Sequence, residues 1–230
     1  MSAALVFLLW YPGALASATG VTEIFLIILA VDVAVGPLIT LIVFNLKKPE
    51  LRRDLMIVLI LQLAALFYGL HAVFAARPVY LVFAADRFDL VYANELTPEK
   101  LAKVQDPRFQ SVPLGRPQLI AAKRPDDKQA RADILFGALA GGDDLPQLPQ
   151  YYVPLQNEKA AMLDRLQQLD KLKEFNRDDA DRVSQLMKSY EVRLDKVGFV
   201  PVRGKVKDLT AVIDRDSGKV LDVLPLQPWN

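Results

Sequence analysis

With 230 residues, 52% of them hydrophobic, and a formal net charge of +1, the chain has nothing that favours a nucleic-acid partner, because gripping a phosphate backbone takes clustered positive charge. It contains no cysteine, which excludes disulfides, thiolate metal sites and cysteine nucleophiles and leaves the compartment open. The apolar residues concentrate in the first 75 positions, where only Glu23, Asp32, Lys47, Lys48, Glu50, Arg52, Arg53 and Asp54 are charged, so the chain divides into a membrane region, 1–76, and a soluble domain, 77–230.

Residues 1–10 form an apolar run too short to cross a bilayer, ending in Trp10-Tyr11 and a Pro12-Gly13 turn. Two readings compete. A signal peptide would use the small residues Ala16-Ser17-Ala18 as its cleavage site, yet no base precedes the apolar core. The far end of a truncated first transmembrane helix, spanning 2–10, explains the interfacial aromatics and is the reading taken here.

Residues 22–44 are almost wholly apolar and long enough to span the hydrocarbon core, roughly 30 Å thick. Near the middle sits Asp32, followed by Gly36-Pro37, a pair suited to bending a helix through the loss of a backbone donor. An intramembrane acid is a functional candidate by default. The short segment 45–54 then carries Lys47, Lys48, Arg52 and Arg53, whereas 11–20 has no base, so the positive-inside rule places 45–54 in the cytoplasm. A further apolar stretch, 55–76, returns across the membrane, interrupted by Gln62, Tyr68, Gly69 and His71. Everything after Arg77 is therefore expected outside the cytoplasm.

The outer domain reads as α+β. Residues 79–84 and 88–92 predict an antiparallel hairpin, 119–122 another strand, and Thr97-Pro98 opens a short helix to about 104. Residues 127–140 are helical, ending at Gly141-Gly142. The prolines of 143–154 mark a loop. Two helices are expected next: 158–175, with leucines at 163, 166, 169 and 172, and one capped by Asn176, with a stripe of Val183, Leu186, Met187, Tyr190 and Leu194 ended by Gly198. Strands at 199–202, 210–213 and 219–223 close the chain around a 214–218 turn.

No catalytic, cofactor-binding or metal-binding constellation is expected. The single histidine, His71, lies in an apolar span, and the nucleophile-elbow, zinc-helix and phosphate-loop motifs are missing. Asp214, Asp216 and Gly218 resemble a calcium loop only faintly, with Gly218 and Pro225 at the positions where ligands belong, and read as a hairpin turn.

The segments VDVAVGPLITLIVF at 31–44, KKPELRRD at 47–54, and YGL at 68–70 leading into ARPVYLVFAADRF at 76–88 resemble the type IV pilin accessory proteins, the TfpX/TfpZ group. The resemblance implies a bacterial inner-membrane protein with a periplasmic domain, non-enzymatic and chaperone-like, whose partners are a cognate major pilin, membrane lipids and other pilus assembly components. A small transporter or proton-linked enzyme centred on Asp32 is the alternative, though one acid and no internal repeat make a poor pathway.

Two intramembrane roles follow from counting depth at about 1.5 Å per residue. Tyr68 matches Asp32 in depth and is the candidate donor to it, the alternative being a protonated Asp32 that bonds back to its own helix or to the first helix. Gln62 lies at the shallow depth where pilins in general carry a helix glutamate, which makes it the candidate contact to a client, against the blander alternative of a bond within its own protein.

Overall fold

The computed structural model describes residues 2–43, 51–189 and 196–229. Lys47, Lys48, Tyr190 and Leu194 lie outside the described residues, as do the side chains of Asp32, Leu186 and Met187.

The chain opens with a helical turn, Ser2–Ala4 (α1), that continues as a π-helix at Leu5–Trp10, so the expected first span is not a regular α-helix. After the Pro12-Gly13 turn come Leu15–Thr19 (α2) and two long helices, Val21–Val43 (α3) and Leu51–Ala75 (α4). Their 23 and 25 residues reach about 35 and 38 Å. Each is long and apolar enough to cross a membrane. Ile27, Leu41, Leu61 and Phe67 are all more than half exposed, as lipid-facing side chains would be. Helix α4 starts earlier than expected, so Arg52, Arg53 and Asp54 form its first turn instead of belonging to the connecting segment. Arginine is a good helix former, and Asp54 suits the positive end of the helix dipole.

Strands Pro78–Ala84 (β1) and Arg87–Tyr92 (β2) form the expected hairpin almost directly after α4. There follow Pro98–Leu101 (α5), Gln118–Ala122 (β3), Lys128–Leu139 (α6), Tyr152–Pro154 (β4), Lys159–Asp164 (α7), Lys171–Phe175 (α8), Ala180–Ser189 (α9), Val197–Arg203 (β5), Leu209–Asp214 (β6) and Val220–Leu224 (β7). The seven strands make one sheet in the order β4-β3-β1-β2-β5-β6-β7. Pairs β1/β3 and β2/β5 are parallel and the rest antiparallel.

Side chains alternate between the faces, as the two-residue period of a strand requires. Leu81, Phe83, Phe88, Leu90, Val202 and Ala211 enter one core with Met162 of α7. On the other face Tyr80, Val82, Val91 and Ile120 pack with Phe109 and Tyr152, and further along Phe199 and Val212 pack with Leu172 and Val183. Because both faces are covered, β1 reads as a continuous apolar run.

Three expectations in the outer domain change. The 143–154 stretch holds short 3-10 turns and β4, which pairs with β3. The 158–175 helix is broken between α7 and α8, because Gln167 leaves the helix and exchanges two 2.9 Å backbone hydrogen bonds with Phe199. Strand β5 pairs with β2 only at Val202 and Arg203, so its first half is open to Gln167. Gly198 permits the approach: a Cβ there would sit 2.9 Å from the Gln167 carbonyl. Asn176, expected as a helix cap, instead ties down the C-terminal segment, donating to the carbonyls of Leu172 and Gln227 and accepting from the Gln227 N–H.

Candidate functional site

The two long helices pack through glycines. A Cβ on Gly36 would lie 2.5 Å from Nε2 of Gln62, and one on Gly69 would lie 3.1 Å from Cδ1 of Ile28. Small residues let helix backbones approach where no hydrophobic force drives them together. Helix α3 continues through Pro37, which leaves the carbonyl one turn earlier without its backbone donor. One turn later Thr40 donates its hydroxyl to the Gly36 carbonyl at 2.9 Å.

These contacts place the polar candidates of the two long helices. Gln62 and Gly36 meet in the helix seam, so the amide considered for a client faces its own protein. Pairing Ile28 with Gly69 and Gly36 with Gln62 fixes an antiparallel register that puts Ala65 and Leu66 level with Asp32. Tyr68 falls level with Leu29, and the residue is 79% exposed, turned away from the seam. Arg52 and Arg53 are exposed at the opposite end from the sheet domain.

At the sheet end of the helices, the N-terminal segment forms a seat. Val6, Trp10 and Tyr11 pack with Val21, Phe25 and Val73, and the Tyr11 hydroxyl donates to the Val73 carbonyl at 2.8 Å. Trp10 lies 4.9 Å from the Phe74 ring. Arg77, 2% exposed, stacks 3.8 Å over that same ring and donates to the carbonyls of Phe74 and Pro113 at 2.8 Å each. Its burial pulls the guanidinium pKa below the ordinary value.

Helix α2 then enters the sheet domain itself. Leu15 and Ala18 belong to the same core as Phe88, Leu90 and Val202, and Ala18 is fully buried. The Ala18 carbonyl accepts from the Val206 N–H at 2.9 Å, in the β5–β6 connection. Gly204 makes room, since a Cβ there would stand 3.0 Å from that carbonyl. The suggested cleavage site, Ala16-Ser17-Ala18, thus lies in a helix that the outer domain packs around. Residues 2–20 and the sheet share one end of the α3/α4 pair. Sequence reasoning missed this docking; its one signal is the apolar pair Leu15 and Ala18, three apart, in a segment free of charge.

Several proteins share this sequence pattern. The chain is 25% identical over 218 residues, 93% of its own length and 84% of the relative's, to the fimbrial assembly protein of serogroup I of Dichelobacter nodosus. It is likewise 25% identical over 221 residues, with the same coverage of both, to the fimbrial assembly protein of serogroup E1 of that organism. To the fimbrial assembly protein of serogroups C1 and C2 it is 33% identical over 101 residues, 43% of this chain and 77% of the relative. No family model matches the chain, and no solved structure does.

Proposed function

The chain belongs to the family of fimbrial assembly proteins, and from that premise we propose that it is a non-enzymatic accessory factor of the type IV pilin kind, acting on one cognate pilin from the bacterial inner membrane. The observation that carries this reading is the 25% identity that runs over 93% of the chain, through both long helices and the sheet domain. In this reading α3 and α4 cross the bilayer, the bases at 47–53 stay in the cytoplasm, and the sheet domain works in the periplasm. The docking of α2 supports it, because residues before α3 and after α4 must lie on one side if the two helices cross the membrane once each. Against the transport alternative, the helix seam is packed at both Gly36 and Gly69.

Deletion of the chain in its native host, followed by quantification of surface pili and of total pilin, tests the proposal. Loss of pili that the intact chain restores is the expected result. Normal piliation without the chain would overturn it.

A further inference from the structure

Strand β1 leaves α4 and runs seven residues to the hairpin turn at Ala85 and Asp86, where Ala85 takes a φ of 60°. At about 3.3 Å per residue the tip lies about 23 Å of strand beyond the start of β1. Beside this tip is a cavity of about 380 Å³. Arg124, Arg131 and Arg165 reach it from three separate segments, Asp86, Arg87, Asp89 and Asp144 line it as well, and Ile134 and Leu135 of α6 give it an apolar wall. Asp89 and Asp144 also line an adjoining cavity of about 340 Å³ that contains Glu95, Arg203 and Lys205.

Four arginines face three aspartates here, and of the aspartates Asp144 is engaged by the Leu145 N–H at 2.7 Å. Arg87 is committed to Asp86 and Asp89, at 3.4 and 3.2 Å. Arg124, Arg131 and Arg165 form no ion pair with any described residue. Asp89 is 8% exposed, and its buried Oδ2 takes no hydrogen bond of good geometry, its neighbour being the Arg87 Nε of the 3.2 Å ion pair. Three unpaired guanidiniums call for carboxylates, which they bind in a planar fork. A buried acceptor without a donor calls for an N–H. Extended acidic peptide supplies both, and an apolar neighbour in it would meet Leu135, Phe136 and Leu139, which are 57%, 67% and 75% exposed along α6.

We propose that the cleft at the β1–β2 tip binds an extended acidic segment, with an apolar residue beside its carboxylates, of a pilus subunit. The partner's identity as a pilus subunit rests on the assembly role proposed above; the acidic and apolar character of the segment comes from the cleft. Charge gives the recognition its direction, and the wall of α6 gives it register.

A photo-crosslinking residue at Leu135 in the full chain, expressed in the native host, tests this. The expected result is a light-dependent adduct with a pilus subunit that maps by mass spectrometry to a segment containing Asp or Glu. Replacing Arg124, Arg131 and Arg165 together by Ser should lower its yield by about tenfold or more, equivalent to loss of a single charge-assisted bond. Lys at the three positions should restore part of it. No adduct, an adduct with lipid or with a second copy of the chain, a neutral or basic mapped segment, or a yield unchanged by the Ser variant would each overturn the proposal. If the Ser variant assembles pili normally while deletion of the chain abolishes them, the cleft is not the contact and the assembly role stands.

Discussion

Truncating Leu15 to Ala tests whether α2 is part of the outer domain or merely lies beside it. Leu15 is 5% exposed and sits in a core with Leu90, Val202 and Leu209, all nearly or fully buried. Removing a buried leucine side chain costs about 2–5 kcal/mol, the spread reflecting how far the site collapses around the cavity. In a unit of this size each kcal/mol moves the melting temperature by about 2–4 °C, so a mid-range cost lowers it by about 10 °C. Thermal unfolding of the full chain in detergent, followed by near-ultraviolet circular dichroism, reads the packing of the sheet domain. Leu114→Ala is the control, because Leu114 is 70% exposed and surface truncations stay within about 0.5 kcal/mol. If Leu15→Ala unfolds with the control, the sheet domain is complete without α2 and the account of the seat is wrong.

Asp89 gives a pH signature. Burial, outweighing Arg87, pushes its pKa up to about 6, above the unfolded value near 3.9, so its contribution to stability is full below about pH 4 and is lost as pH rises through 6. Asp89→Asn should therefore be more stable than the parent at pH 7.5, by at most about 3 kcal/mol, and equal to it at pH 3.5; a less stable variant at pH 7.5 would mean that the Arg87 pair outweighs burial. Gly69→Leu should cost about 1–3 kcal/mol by forcing Ile28 aside, whereas Gly36→Ala should be milder because the end of Gln62 can swing away; equal melting temperatures for the two variants would refute the glycine seam. A reporter enzyme active only outside the cytoplasm should work when fused after Asn230 and fail at Pro49, and activity at Pro49 would reverse the orientation. A chimera that keeps residues 21–76 and takes both the outer domain and the segment matching 1–20, which packs into that domain, from a relative serving another pilin should assemble the relative's pilin; assembly of the original pilin alone would move recognition into the helices.

The β1–β2 hairpin was legible because two runs rich in Val, Tyr and Phe flank a two-residue turn. The parallel pairing of β1 with β3 was not, since apolar strands buried on both faces carry no pattern that names a neighbour. The leucines at 163, 166, 169 and 172 suggested one helix, yet Met162 and Leu163 serve one core and Leu169 and Leu172 another, on opposite faces of the sheet. A spacing of three fits a single helical face and equally a chain that crosses a sheet edge. Within the two long apolar helices Gly36, Gln62 and Tyr68 stood out by residue type. Their depths could be counted, but which way each side chain points depends on helix rotation, and so Gln62 met Gly36 while Tyr68 turned outward. The arginine cleft left no trace in the sequence, because Arg165 joins Arg124 and Arg131 only through the fold and no short motif spans the three.

The seat formed by α2 has a mechanical consequence. A domain joined to a pair of long helices by one linker swivels about it, and its bearing around the helix axis is free. Here Arg77 clamps one attachment and the Ala18 carbonyl, held by the β5–β6 connection, makes a second. Two mounts remove the swivel. A subunit lying against the outer side of α3 and α4 would find the sheet domain always at the same azimuth, and any tilt of the helix pair would turn that domain with it.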